Sequence, residues 1–262
     1  MKSVLTIAGS DCSGGAGIQA DIKTITAHKL YAMSVITALT AQNTLGVSAI
    51  YDIDPEFITQ QFDAIFTDIY PDAIKIGMVS NAKVIRIIAD KLREYKATNI
   101  VLDPVMVSTS GSKLLSEDAL NILIYELMPL ADIITPNLAE TECLCGFRIV
   151  SSEDMILAAK KIANTYRGSI LIKGGHFHDN ANDLLFTNDH NTQWLYSPRI
   201  NNENTHGTGC TLSSAIACNL AMGYDVYCSI ANAKEYISGA LKAGLNLGKG
   251  KGPLNHCYNI KL

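Results

Sequence analysis

VLTIAGSDCSGGAGIQADIKTITAHKLYAMSVITAL, residues 4–39, is the stretch on which the fold turns. It holds an apolar, β-rich run at 4–8, a glycine-rich turn at 9–17, a segment with helical spacing at 18–28 and a second such run at 33–39. Runs so continuously apolar lack the in–out alternation of a one-sided sheet and predict strands buried on both faces. Strand, helix and strand in that order make a parallel βαβ unit. The alternation continues downstream. Strands are predicted at 73–76, 100–103, 133–135 and 170–173, and helices at 56–69, 83–95, 118–128, 154–166, 208–222 and 226–247. The apolar triplets 184–186 and 194–196 flank a polar 188–193 segment and predict a hairpin at a sheet edge. The expected architecture is therefore α/β, a doubly wound, mostly parallel sheet with helices on both faces.

The 262 residues correspond to about 1.7 average domains. No Pro/Ser-rich linker, repeat or charge block divides them, so one domain spanning 1–262 is expected. A hydrophobic share of 48% with 18% charged residues excludes a disordered or collagen-like chain. Lys+Arg 21 against Asp+Glu 25 gives a net charge of −4, which implies no general attraction to nucleic acid or to an anionic membrane. The first apolar run is too short for a secretory signal and no run reaches the roughly 18 apolar residues of a membrane span, so a cytoplasmic location is expected. The seven cysteines lack the spacing of a disulfide framework and are expected reduced. Cys143 and Cys145 have no second pair with which to hold zinc.

Ligands of open α/β sheets bind beyond the carboxyl ends of the parallel strands, so the residues there carry the argument. Residues 15–20, Gly-Ala-Gly-Ile-Gln-Ala, fit a dinucleotide fingerprint formally, but six residues separate Ala8 from Gly15 and no acid ends the second strand. A turn that lets backbone approach a small ligand is the better reading. No Walker-type P-loop occurs. Gly207-Thr208-Gly209-Cys210 opens a helix with unpaired backbone N–H groups aimed at one point, which suits a phosphate in transfer. Cys210 lies in that first turn, where a helix terminus can lower a thiol pKa, with a buried small hydrophobe as the competing reading, and His206 is expected to line the site rather than act as a base. Asp103 ends an apolar strand, where a carboxylate needs a cation or donor, and Glu140 sits three residues after Asn137 at another strand end. Two carboxylates of this kind, completed by water and phosphate oxygens, are what magnesium accepts. Lys173 ends a further strand and is expected to meet an anion, with a salt bridge to Asp or Glu as the competing reading.

Taken together, residues 8–11 and 13–21, 37–44, Lys75-Ile76-Gly77-Met78, Asp103-Pro104-Val105-Met106, 135–140, Lys173-Gly174-Gly175-His176 and 204–210 resemble, in order and almost end to end, the bacterial hydroxymethylpyrimidine/phosphomethylpyrimidine kinases of thiamine biosynthesis. These belong to the ribokinase-like superfamily, which implies a three-layer α/β/α fold. The resemblance implies transfer of the γ-phosphoryl group of ATP to 4-amino-5-hydroxymethyl-2-methylpyrimidine and then to its monophosphate, with Mg2+ as cofactor and a homodimeric state. It implies that Gln42 reads the pyrimidine edge, that Gly9, Met78 and Val105 line the pocket, and that Asp21 binds close by. Gly207, Thr208, Gly209 and Cys210 would hold the transferring phosphoryl group. Lys173, Asn137, Thr205 and His206 would serve the nucleotide, and Asp103 and Glu140 the metal.

Sugar kinases of the superfamily carry Asp where Cys210 stands, and the cysteine points to the pyrimidine branch. Thr109 stands where the family usually places a lysine in a flexible loop, and Lys113 is the candidate substitute. Pyridoxal kinase is the nearest rival. A catalytically silent ligand-sensing module and a nicotinamide oxidoreductase complete the alternatives.

Overall fold

The computed structural model describes residues 1–106, 115–175 and 181–260. Its framework is one nine-stranded sheet. At its centre β1 (Ser3–Asp11) runs parallel to β2 (Tyr31–Asn43) on one side and to β4 (Ala73–Ile76) on the other. From β4 the sheet continues in parallel through β5 (Ile100–Leu102), β6 (Ile133–Ile134) and β7 (Ser169–Ile172). Beyond β7 lies the expected hairpin, β8 (Asp183–Phe186) and β9 (Thr192–Leu195), antiparallel. The opposite edge is β3 (Gly46–Asp52), antiparallel to β2.

Side chains alternate across a strand, and here both faces are apolar. Leu5, Ile74, Ile76, Ile100, Leu102, Ile134, Ile170 and Ile172 join one core. Val4, Ala73, Val101, Ile133 and Leu171, the residues between them, join the other. The first core is covered by α2 (Pro55–Phe66), α3 (Ala82–Glu94), α4 (Glu117–Ile122) and α6 (Ser152–Ile162), and the second by α1 (Gly17–Ala27), α7 (Thr208–Ala221) and α8 (Val226–Ala243). This is the three-layer arrangement the apolar runs required.

Several boundaries differ from expectation for identifiable reasons. The helix expected at 118–128 ends as α4 at Ile122, opens into a π-helical turn (Leu123–Leu127) and closes in a 3₁₀ turn (Met128–Leu130) that contains Pro129. The helix expected to reach 247 stops at Ala243, where Gly244 takes φ +59°. The strand β3, unexpected from the sequence, is exposed at every residue, so it carries no burial pattern to read. A short helix, α5 (Leu138–Cys145), was also unexpected; a capping box between Asn137 and Glu140 starts it. The second strand runs four residues past its expected end at 39, so Gln42 pairs with Val47 of β3 beyond the last β1–β2 pair, Asp11 with Thr40.

Candidate active site

The first wall of the site is the β1–α1 turn. The β1–β2 register shifts between Ala8 and Ser10, so β2 bulges with Thr37 and Ala38 against the single Gly9. Beyond it the Asp11 carboxylate accepts from the amides of Ser13, Gly15 and Ala16, which folds the turn around itself. Gly207 faces this turn in the left-handed region, φ +85°, and a Cβ there would fall on the Gly15 carbonyl oxygen. The α7 start and the β1–α1 turn therefore meet backbone to backbone, which only glycine permits. His206 is pinned by the same contact: its Nε2 lies 2.9 Å from Asp11 Oδ2 and 3.3 Å from the Gln42 amide. Burial alone would raise the Asp11 pKa, but the bonds from His206, Ser13 and Ala16 outweigh it and hold the carboxyl well below the usual carboxylate range.

The opposite wall gathers charge. Helix α7 has no side-chain cap, so the first-turn N–H groups of Gly209 and Cys210 lack intrahelical partners. Gly209 packs so closely that a Cβ on it would lie 3.0 Å from Asp103 Oδ2 and 3.7 Å from Lys173 Nζ. Asp103, 2% exposed, accepts from Lys173 Nζ at 2.7 Å and from Thr135 Oγ1 at 3.1 Å. The competing salt-bridge reading of Lys173 is thus realised, with the ammonium still beside the α7 N-terminus. Burial disfavours its charge, but Asp103 and Glu140 outweigh this and raise its pKa, so it stays a cation. Glu140 is buried behind it, with Oε2 on the Asn137 amide. Burial pushes its carboxyl up to about 7; Lys173 opposes that and Asp103 adds to it.

Among the described residues no three His, Cys, Asp or Glu side chains gather as a metal cage. The donor set nevertheless fits magnesium, which takes one or two carboxylates and fills its octahedron with water and phosphate oxygens. A buried carboxyl that burial and a second carboxylate both disfavour is what a divalent cation would relieve.

Below the α7 start lies a buried ion pair. Lys75 and Asp21, with side chains 0% exposed, are 2.7 Å apart, and Asp21 also accepts from Thr6 and Ser214. Asp21 therefore corrects its expectation as a substrate-binding residue: its carboxylate is spent inside the fold and supports α7 from beneath. Burial disfavours the Lys75 charge, yet Asp21 and Cys210 raise its pKa. Of the two readings open at Cys210, the buried thiol is the one the surroundings favour. Loss of hydration pushes its thiol pKa above the ordinary value, and Asp21 and Asp103 add to the rise while Lys75 opposes it. The helix terminus does not win, and the thiol is protonated at neutral pH.

Gly9 and Met78 are neighbours, since a Cβ on Gly9 would come within 2.9 Å of Met78 Cε. Val105 follows Asp103 and is half-buried. Asn137, expected beside the nucleotide, caps α5 and pairs with Lys173 through a strand bridge. Thr205 is exposed beside an open hollow of about 430 Å³ lined also by Glu203, Lys249 and Lys251. His206, expected beside the nucleotide, contacts Gln42 and Asp11. Thr109, Lys113 and His176 lie outside the described residues. Sequence reading missed the supporting roles of Asp11 and Lys75; the buried Lys75 within an otherwise apolar strand was the one readable signal.

Residues 11–255 match the phosphomethylpyrimidine kinase family. The chain is 48% identical over 258 residues to the hydroxymethylpyrimidine/phosphomethylpyrimidine kinase of Rhizobium meliloti, covering 97% of this chain and 96% of that protein. It is 48% identical to the thiamine biosynthesis bifunctional protein ThiED of Geobacter sulfurreducens, of whose length it spans about half, 52%. The phosphomethylpyrimidine kinase of Clostridium difficile superposes with a TM-score of 0.82 at 44% identity, covering 91% of this chain and 98% of that one. The pyridoxal kinase of Staphylococcus aureus, in complex with AMP-PCP, superposes at 0.91 with 31% identity, covering 100% and 96%. Fold and site thus define a ribokinase-like small-molecule kinase. Within that class the chain belongs to the phosphomethylpyrimidine kinase family. Among the described residues no helix is long and apolar enough to cross a membrane.

Proposed function

We propose that this enzyme transfers the γ-phosphoryl group of ATP to the hydroxymethyl oxygen of 4-amino-5-hydroxymethyl-2-methylpyrimidine and then phosphorylates the monophosphate to the diphosphate. The observation that carries the reading is that the Gln42 amide meets His206, the residue before the α7 start, while Gly209 of the same start lies beside Lys173 and Asp103. Gln42 offers one donor and one acceptor, which suits an aminopyrimidine edge. Gly9, Met78 and Val105 flank it as apolar lining. The N–H groups at the start of α7 hold the phosphoryl charge as it moves, and Lys173 meets the nucleotide phosphates. Asp103 and Glu140 would hold magnesium, whose chemistry when bound is to neutralise charge on the phosphate oxygens. The transfer is largely dissociative, so a protonated Cys210 suffices as a positioning group and its N–H matters more than its thiol. Thr205 would flank the nucleotide, with Lys249 and Lys251 beside it.

The continuous sheet supports reading residues 1–262 as a single kinase domain. We place it in the cytoplasm as a homodimer, as the family resemblance implies. The likeness to the Staphylococcus aureus pyridoxal kinase supports pyridoxal as a second acceptor. Mass identification of products from Mg-ATP with the pyrimidine, its monophosphate and pyridoxal tests the reading. Mono- and diphosphate products are expected; exclusive phosphorylation of pyridoxal overturns the substrate assignment, and no turnover on any acceptor overturns the activity.

A further inference from the structure

The surroundings of Gln42 decide which way round its amide lies. The oxygen and nitrogen of a primary amide fill nearly the same space, so the neighbours fix the orientation. Asp11 Oδ2 accepts from the Gly15 and Ala16 amides and lies 2.9 Å from His206 Nε2. An ionised carboxylate only accepts, so Nε2 must carry a hydrogen and direct it to Asp11, in the neutral tautomer and the imidazolium alike. The same Nε2 lies 3.3 Å from one terminal atom of the Gln42 amide. Were that atom the NH₂, two donors would face each other. The other terminal atom lies 3.1 Å from Thr40 Oγ1, whose single hydrogen goes to the Ser10 carbonyl at 2.9 Å. Thr40 then has only lone pairs left and needs a donor. A half-turn about the Gln42 Cγ–Cδ bond removes both conflicts: the amide oxygen takes the longer branch of the one Nε2–H, shared as a three-centre bond with Asp11, and the NH₂ donates to Thr40.

The amide is held in place at its backbone as well. The Gln42 N–H donates to Cys12 Sγ at 3.3 Å, and Cys12 Sγ–H donates to the Gln42 carbonyl at 3.2 Å. His206 is tied separately, its N–H donating to the Gly252 carbonyl at 3.1 Å. After these bonds each end of the Gln42 amide retains one free valence, an oxygen lone pair on the His206 side and an N–H on the Thr40 side.

We propose that the Asp11–His206 pair and Thr40 are positioning residues that lock the Gln42 amide, acceptor toward His206 and donor toward Thr40, and so select ligands that present a donor beside an acceptor in that order. A 4-aminopyrimidine does so: its exocyclic amine donates to the Gln42 oxygen and its N3 accepts from the NH₂. The 4-oxo analogue, with an acceptor at position 4 and a hydrogen on N3, presents the reverse and is rejected, because two matched bonds become two mismatches. This inference rests on the reading that Gln42 meets the pyrimidine edge.

The test compares kcat/KM for 4-amino-5-hydroxymethyl-2-methylpyrimidine and its 4-oxo analogue in the wild type and four variants. The wild type is expected to prefer the amine by about 100-fold or more. His206→Leu and Thr40→Val are expected to lower that ratio by about tenfold or more, because the freed amide turns to suit either ligand. His206→Gln, whose amide nitrogen stands in for Nε2–H, is expected to keep it. A merely structural role lowers the rates on both acceptors and leaves the ratio at the wild-type value; that result overturns the inference. Calorimetric binding of both pyrimidines reads the ground-state counterpart of that ratio for any variant too slow to assay. Gln42→Ala separates the two levels of the argument. If it abolishes the preference while His206→Leu and Thr40→Val retain it, the lock alone falls. If it keeps the preference, Gln42 does not read the ring and both readings fall.

Discussion

Replacing Gly207 with alanine tests whether the α7 start is held by backbone contact, and Gly223 supplies its control. Both glycines take positive φ, +85° and +90°. A Cβ at Gly223 meets nothing within 4 Å, whereas one at Gly207 falls on the Gly15 carbonyl oxygen. Gly223→Ala therefore bears only the left-handed backbone cost, about 1–2 kcal/mol, which for a chain of this size lowers Tm by about 2–4 °C per kcal/mol. Gly207→Ala bears the same cost and must also separate the α7 start from the β1–α1 turn. A shift of about 1 Å in the groups that hold the phosphoryl charge corresponds to roughly a 100-fold loss in rate, about 2.7 kcal/mol in the barrier. Steady-state kinetics with Mg-ATP and the pyrimidine, beside thermal melts, read both quantities. Gly223→Ala is expected to keep kcat and Gly207→Ala to lose about two orders of magnitude. If Gly207→Ala keeps wild-type kcat with only the melting shift of Gly223→Ala, the turn is not the phosphoryl-holding element.

Three further outcomes follow from the buried charges and thiols. Lys75→Met strands Asp21 inside the fold and is expected to cost about 3–5 kcal/mol in urea unfolding, with part recovered when Asp21→Leu is added; equal losses in the single and double variants would contradict a paired charge. His256 is buried, and burial, helped by Lys23, lowers its pKa from 6.5 to about 4. The unfolded chain takes up that proton first, so stability present above pH 6.5 drains away as pH falls toward 4, by about 3 kcal/mol in all. The urea midpoint of His256→Gln is expected to fall less than that of the wild type across this window. Iodoacetamide at pH 7.5 is expected to label exposed Cys143 well before Cys210, whose thiol pKa is raised, and Cys210→Ser is expected to keep kcat within about tenfold. Preferential labelling of Cys210 would show a thiolate there after all.

The layered fold was legible because its strands are apolar on both faces, and both cores draw on alternate residues of the same runs, Ile100 and Leu102 for one and Val101 for the other. β3 was not, since a strand exposed at every residue leaves only its turn to read. The strand-end rule drew attention to Asp103, Asn137 and Lys173 one at a time, but their mutual partners depend on strand order. Nothing in the sequence joins Lys173 to Asp103, 70 positions apart, or Ser214 to Asp21, 193 apart. The same holds for Asp21, whose motif position suggested substrate contact while the sheet turned it inward beside Lys75. The Cys210 thiol stayed open between two readings because a helix terminus is visible in a sequence, whereas burial and the carboxylates of Asp21 and Asp103 are not.

A crystal structure with AMP-PCP, magnesium and 4-amino-5-hydroxymethyl-2-methylpyrimidine tests the central assignment most directly. The account predicts the γ-phosphate on the N–H groups of Gly209 and Cys210, with the hydroxymethyl oxygen about 3–3.5 Å away in line and the aminopyrimidine edge on Gln42. A pyrimidine bound away from Gln42, or a γ-phosphate away from the α7 start, would contradict it.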